Sequence, residues 1–163
     1  MKGLIWEIQK NFFQAIAKNQ QIIDLKIPIY GNAANLNAAM PYIIILGIKI
    51  SNIDSVQVNR KNAYIKISIF NKGESLKKIA NISDIIEEIV TTENIISENI
   101  KFISIQKKDT DLVNNPQTGM TNIAMEYQCV VEITTLSHEF SPYPSHQETF
   151  YSTNNAGDTT LPV

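Results

Sequence analysis

The sequence has few of the residues from which catalytic and metal sites are usually built. Its single cysteine, Cys129, excludes a disulfide within the chain, which fits the cytosol and argues against a small secreted disulfide scaffold. Gly31 and Gly47 are isolated, and neither GxGxxG nor GxxxxGK occurs, so no phosphate-binding loop is predicted. The formal net charge of -2 gives no basic excess for holding DNA or RNA by its phosphates. Nucleic acid is therefore not expected as a tight partner.

Long apolar runs are also missing. The longest, residues 43–46, has the length of a strand and falls far short of the ~18 residues of a membrane-spanning helix. The N-terminal MKGLIWEIQKNFF lacks the unbroken apolar stretch and the small-residue cleavage site of a signal peptide. We expect a soluble, cytoplasmic protein with no membrane partner.

Both histidines, His138 and His146, lie in a C-terminal segment rich in Ser, Thr, Pro and Asn. With Ser145, Glu139 and Glu148 they supply, on paper, the nucleophile, base and carboxylate of a hydrolytic triad. A triad works only when these groups are held rigidly within hydrogen-bond distance, and a polar segment without a core of its own does not hold them. The histidines have neither HExxH spacing nor a second cysteine nearby, so zinc is not predicted.

The remaining candidates for chemistry favour structural roles. Cys129 alternates with apolar neighbours and is predicted to be buried and inert. Glu87 and Glu88 are adjacent on a predicted helix, where their side chains diverge by about 100° and do not face each other as an acid–base pair. We therefore predict no catalytic residue and no metal site, and we do not expect an enzyme.

Hydrophobic periodicity outlines the first half of a single domain. Apolar residues three and four apart predict a helix over residues 2–19, with room for one more turn through residues 22 and 23. The apolar run within residues 42–48 does not alternate, which predicts a central strand buried on both faces. Residues 63–70 alternate cleanly and predict a half-buried strand that pairs with it in a hairpin.

The second half begins with a helix signal. Asn71 followed by Glu74 has the form of an N-cap with a capping box, and an apolar stripe from Leu76 to Ile89 predicts a helix that fades near residues 91–92. Strands are predicted over residues 100–106 and 122–135. The expected fold is α+β, with a mixed or antiparallel sheet of about four to five strands and two helices packed on one face.

The last two predicted strands are joined by an unusually long polar connection, residues 107–120. Hairpin loops usually have two to five residues, and longer ones are often functional. Strand periodicity ends near Thr135. We therefore predict an α+β domain over residues 1–136 and a polar C-terminal extension over residues 137–163.

Several local features resemble the tail terminator, or tail completion, proteins of long-tailed phages, prophages and gene transfer agents. They are IYG at residues 29–31 followed by MPYI at 40–43, a strand that ends in IFN at 69–71 before the second helix, and the loop DTDLVNNPQTG leading to AMEY at 124–127. The resemblance covers roughly residues 4–135. The C-terminal extension continues past the family's usual end.

The resemblance implies a structural subunit that forms a ring, typically hexameric, on the finished tail tube. Such a ring ends tube polymerisation and joins the tube to the head connector, so the implied partners are other copies of the chain, the tube protein and the connector. DNA would only pass through the channel, and no cofactor is needed. The implied location is the host cytoplasm during assembly and then the tail of the particle.

Two sets of residues are candidate contact sites under this interpretation. Inward-facing loops of the family line the channel or touch the tube, which gives the long connection that role through Lys107, Lys108, Asp109, Asp111, Asn114, Asn115 and Gln117. The extension is either flexible or docks on a neighbouring subunit or the connector through its aromatic side chains, which are Phe140, Tyr143, Phe150 and Tyr151.

Other functions remain open from the sequence. A different head–tail joining protein would share the same particle, and a non-phage ligand-binding α+β module would share the same element order. The ligand-binding module predicts a concave apolar pocket with a few convergent polar groups, whereas a ring subunit predicts flat contact surfaces.

Overall fold

A computed structural model describes residues 2–53, 59–73 and 75–134 of the chain. In chain order the elements are α1 (Lys2–Ala17), α2 (Gln20–Asp24), β1 (Ile29–Gly31), β2 (Tyr42–Asn52), β3 (Arg60–Lys72), α3 (Leu76–Ile89), β4 (Ile100–Asn115) and β5 (Met120–Ile133). The sheet has five strands in the order β1-β2-β3-β5-β4. β1 is parallel to β2, and the other neighbours are antiparallel. The predicted α+β class is confirmed.

α1 packs on the sheet through side chains at a spacing of four. Leu4, Ile8, Phe12 and Ile16 are fully buried, as the helical periodicity predicts. The additional turn forms a separate helix, α2, because Asn19 caps it. The side-chain oxygen of Asn19 accepts hydrogen bonds from the backbone N–H groups of Gln21 at 3.0 Å and Ile22 at 3.3 Å, which satisfies donors that a helix start leaves free.

β2 lies inside the sheet, as predicted, but the prediction that both its faces are buried is wrong. Ile43 and Ile45 are fully buried beneath the helices, whereas Leu46 and Ile48 are 39% and 41% exposed. The reason is that α1 and α3 contact the same side of the sheet and no described element covers the other side. β3 pairs with β2 in the predicted hairpin, and its alternating Ile65, Ile67 and Ile69 are buried.

The predicted capping box before α3 is also wrong. Asn71 is still part of β3, where it pairs with Thr121 of β5, so the ladder already uses its backbone. Ser75 occupies the N-cap position, and its side chain makes no capping hydrogen bond. Glu74 lies outside the described residues. The buried stripe of α3 and its end before residues 91–92 agree with the sequence, except that Leu76 is 45% exposed.

The core between helices and sheet contains an aromatic cluster. The ring of Phe12 on α1 lies 6.0 Å from that of Phe102 on β4 in an edge-on arrangement, and 6.5 Å from that of Tyr127 on β5. Edge-on and tilted rings at these distances attract each other beyond the area they bury. Phe12 thus packs α1 against β4 and β5, the last two strands in the order of the sheet.

Candidate assembly surface

The segment predicted as a long loop is a β-hairpin. β4 continues to Asn115 and β5 starts at Met120, and the ladder runs from Lys107 opposite Tyr127 to Asn115 opposite Met120. The turn is confined to residues 116–119. Every residue from 106 to 115 is exposed, so no buried face imposes a period of two on the sequence, and the pattern there resembles that of a loop.

The turn is closed by residues suited to it. The side-chain oxygen of Asn115 accepts hydrogen bonds from the backbone N–H groups of Gln117 at 3.0 Å and Thr118 at 3.4 Å. Gly119 has a φ of +67°, a value that a residue without a side chain adopts at little cost. We call the exposed half of β4 and this turn, residues 106–119, the hairpin arm; β5 beside it stays paired with β3 as far as Met120.

The predicted contact residues of this segment lie together on one edge strand. Six of them are on β4 and one is in the turn, and all are exposed: Lys107, Lys108, Asp109, Asp111, Asn114, Asn115 and Gln117. Directly opposite residues of an antiparallel pair share a face. Asp109 lies opposite Glu126 and Asp111 opposite Ala124, so both aspartates point away from the helices.

The lysines of β4 are placed differently. Lys107 lies opposite buried Tyr127 and forms an ion pair with Glu87 of α3. Lys108 sits at a shift in the ladder between Lys107 and Asp109, and its Nζ donates a hydrogen bond of 2.9 Å to Oε1 of Gln106. Lys107 therefore lies on the face that the helices cover, and the two aspartates lie on the other face.

That outward face carries an aromatic cluster at its other edge. The ring of Tyr42 stacks on that of Phe70 with centroids 5.2 Å apart, and the ring of Tyr30 meets Tyr42 edge-on at 5.8 Å. Alternation in β3 already sets Phe70 away from the buried face. The three rings come together only through strand register, which is why sequence reasoning missed this cluster.

The sheet has two open edges among the described residues. β4 is the last strand on one side. At the other edge, β1 pairs only with residues 43–45 of β2, so residues 46–52 pair with β3 on one side and with no described strand on the other. An irregularity between Gly47 and Lys49 makes Ile48 an extra, bulged residue. Open edges expose unpaired backbone N–H and C=O groups and are natural pairing sites.

Two buried side chains in the described part of the chain have raised pKa values. Cys129 is fully buried, as predicted, and burial raises the pKa of its thiol to about 12. Burial, together with the nearby charge of Glu87, also raises the pKa of Tyr127. No group of three or more His, Cys, Asp or Glu residues that could hold a metal ion occurs in residues 2–53, 59–73 and 75–134.

The candidate residues of the C-terminal extension lie outside the described residues: His138, Glu139, Phe140, Tyr143, Ser145, His146, Glu148, Phe150 and Tyr151.

A cleft of about 350 Å³ opens between the hairpin and the start of α3, lined by Leu76 and Leu112 among others. None of the helices described is long and apolar enough to cross a membrane.

Comparison with known proteins gives a structural likeness without a sequence relative. No protein-family model and no curated protein matches the chain. Among solved structures, the fold is similar to that of a chain described as "Virion of native gene transfer agent (GTA) particle", with a TM-score of 0.67 and 9% sequence identity. The likeness covers 77% of this chain and 95% of that chain. At this identity it shows a shared fold.

Proposed function

We propose that the protein is a structural subunit of a tailed particle, either a phage, a prophage or a gene transfer agent, and that it forms a ring capping the tail tube. The ring ends tube polymerisation and joins the tube to the head connector. The observation that carries the proposal is the fold shared with a gene transfer agent virion chain over 95% of that chain. The tail-terminator features of the sequence narrow the role to the end of the tube.

The exposed surfaces fit a role in assembly. The hairpin arm, the aromatic cluster on the outward face and the two open edges are contact features, and the buried titratable side chains Tyr127 and Cys129 are held uncharged. In this proposal the protein is not an enzyme and uses no cofactor. It works in the host cytoplasm during assembly and then in the particle tail.

The hairpin arm is the proposed contact with the tube or the channel. Its two lysines, Lys107 and Lys108, and its two aspartates, Asp109 and Asp111, cancel in formal charge. A near-neutral polar wall lets DNA pass, whereas a basic wall would hold it by its phosphates. The aromatic side chains of the extension are proposed to dock on an adjacent subunit or the connector.

The deciding experiment is deletion of the gene followed by electron microscopy of the particles. Tails of uncontrolled length that lack heads are the expected result, and the full-length chain supplied in trans should restore normal particles. Tails of normal length that remain unattached to heads would instead assign the protein to another head–tail joining step. Normal, infectious or transducing particles would refute both roles.

A biochemical test separates the ring subunit from a ligand-binding module. Added to polymerising tube protein, the chain should shorten the tubes in proportion to its concentration and should be found at one tube end by labelling. A variant that changes only exposed side chains of the arm, Lys108→Ala/Asn114→Ala/Gln117→Ala, should fold but lose this effect. Equal tube lengths with and without the intact chain would contradict the proposal.

A further inference from the structure

The two open edges of the sheet are complementary in position. β4 is exposed on both faces over residues 106–115, near the hairpin tip. β2 is open over residues 46–52, and this half pairs with the half of β3 farthest from the tip. The edges are thus on opposite sides of the sheet and offset along the strands. A neighbour that uses both must be shifted along the strand direction, as strands are in a closed, sheared ring of sheets.

Strand direction is consistent with joining these edges in a ring. β2, β3, β5 and β4 are successively antiparallel, so β2 and β4 of one subunit run in opposite directions. Copies related by rotation about a ring axis keep the same orientation along that axis. β4 of one copy therefore meets β2 of the next as an antiparallel pair, the pairing that sheets form most readily.

The direction of the backbone groups along β2 shows which of them face its open edge. The N–H of Ile43 donates to Pro28 at 2.9 Å, and the C=O of Ile45 accepts from the N–H of Asn32 at 3.4 Å. Both groups point away from β3. Because this direction alternates along a strand, Gly47 presents its N–H and C=O to the same side, beyond the end of β1.

The side chains at the two edges match in one register. Setting Asp111 opposite Lys49 and skipping the bulged Ile48 places Val113 opposite Leu46, all on the face away from the helices. Leu46 and Val113 are 39% and 53% exposed in the single chain. Lys49 then also lies diagonal to Asp109, which within its own subunit faces another carboxylate, Glu126. Opposite charges in such positions stabilise a strand pair, and like charges destabilise it.

Pairing of β4 with a second β4 is less favourable. An antiparallel pair centred on Thr110 sets Asp109 of one copy opposite Asp111 of the other and repeats this contact by symmetry. In this register like charges disfavour a closed dimer, whereas the head-to-tail contact sets opposite charges together and closes into a ring when the rotation permits.

We propose that β4 of one copy adds to the open half of β2 in the next copy, with Asp111 opposite Lys49, and that this strand pair joins the subunits of the ring. The inference rests on the ring given above as the proposed function and names its subunit interface. A strand pair of about five residues, roughly 17 Å long, buries less surface than the interface of a stable complex. Free subunits therefore associate weakly, and the tube end brings them together.

Cysteine pairs test the contact on the full chain in the presence of polymerised tube protein. Within one subunit, three strand spacings of about 4.8 Å, roughly 14 Å, separate β2 from β4, too far for a disulfide. Lys49→Cys/Asp111→Cys should therefore give a ladder of linked oligomers on oxidation. A mixture of the two single variants should give linked dimers only. Asp111→Cys alone forming the main linked dimer would overturn the proposal, since it reports β4 against β4.

A charge exchange provides an independent test that needs no disulfide. Lys49→Asp should lower ring assembly on tubes about tenfold or more, and Lys49→Asp/Asp111→Lys should restore it. Lys77→Asp, the same charge change at an exposed position of α3, is the matched control and should have no effect. Rings that assemble equally with Lys49→Asp, or an exchange that fails to restore them, would overturn the proposed contact.

These outcomes are distinct from failure of the proposed function. Linked rings that never alter tube length or head attachment would leave the strand contact standing and refute tail termination. Normal termination by chains that give no 49–111 link and tolerate Lys49→Asp would leave tail termination standing and refute the strand contact.

Discussion

Replacing Gly47 with alanine tests how closely α1 lies on β2. A Cβ atom at this position would lie 2.7 Å from Cγ1 and 3.1 Å from Cδ1 of Ile5, and 3.5 Å from Oε1 of Gln9. Carbon atoms in contact prefer about 3.5–4.0 Å. Cγ1 is bonded directly to the Cβ of Ile5, so it cannot swing away as the end of a long side chain can. Either Ile5 changes rotamer or the helix shifts.

The expected cost follows from two opposing effects. Overpacking of this kind costs about 1–3 kcal/mol. Alanine also restricts the unfolded chain relative to glycine, which raises the free energy of unfolding by about 0.4–1 kcal/mol. Gly47→Ala should therefore lower the free energy of unfolding by about 1–2 kcal/mol. Gly31→Ala is the matched control, because its Cβ would lie 3.0 Å from Nε2 of Gln9, the movable end of a side chain, and its cost should stay below about 1 kcal/mol.

A double-mutant cycle isolates the steric contact. Urea unfolding at 25 °C, followed by circular dichroism, gives the free energies for Gly47→Ala, Ile5→Ala and the pair. Removing Cγ1 makes room for the new methyl group, so the double variant should be more stable than the sum of the single effects predicts, by about 1 kcal/mol or more. Effects that add to within about 0.5 kcal/mol would refute the close approach of α1 to β2.

Three further changes test the core, a helix cap and the buried thiol by the same unfolding assay. Phe12→Ala should cost about 3–5 kcal/mol because it removes the ring between Phe102 and Tyr127, and a cost under about 1.5 kcal/mol would contradict that packing. Asn19→Ala should cost about 1 kcal/mol and Asn19→Asp much less, since aspartate keeps the accepting oxygen; equal costs would exclude the cap. The thiol of Cys129 ionises from its ordinary pKa of 9.0 in the unfolded chain but only near about 12 when folded. The unfolded chain thus loses its proton first as pH rises, and the free energy of unfolding should fall by about 2 kcal/mol more in wild type than in Cys129→Ala between about pH 8 and pH 10.5; equal falls would contradict the burial.

The parts of the fold that the sequence predicts are those with one buried face. α1, α3 and β3 each bury one side, and burial imposes a period of 3.6 or 2 on their apolar residues. The single buried cysteine follows from the same alternation in β5. In these elements the pattern and the structure have a common cause, which is the removal of one face from water.

The parts that the sequence misses have either no buried face or a contact made at long range. Residues 106–115 of β4 are exposed on both sides, so nothing in their order distinguishes a strand from a loop. In β2, Ile45 is buried and Leu46 is exposed, although both belong to one apolar run. Which of them is buried depends on the side of the sheet that the helices cover. Asn71 illustrates local competition, because strand pairing with Thr121 prevailed over a good capping sequence.

The conformation of β4 itself bears on the proposed assembly. Ordering a backbone residue costs about 1–2 kcal/mol, and the half of β4 near the tip recovers little of this by burial, since Leu112 and Val113 remain 54% and 53% exposed. Its charges are arranged as on edges that resist indiscriminate pairing. Asp109 and Asp111 repel a second β4, while Lys49 on the opposite edge attracts them. Because the β4 edge is repelled by a second β4 and is complementary to the β2 edge, it favours head-to-tail contact between copies. Neutralising both aspartates should therefore broaden pairing, so that Asp109→Asn/Asp111→Asn forms β4-linked dimers in free solution where the wild-type chain does not; size-exclusion chromatography with light scattering would show a monomer instead if this reasoning is wrong.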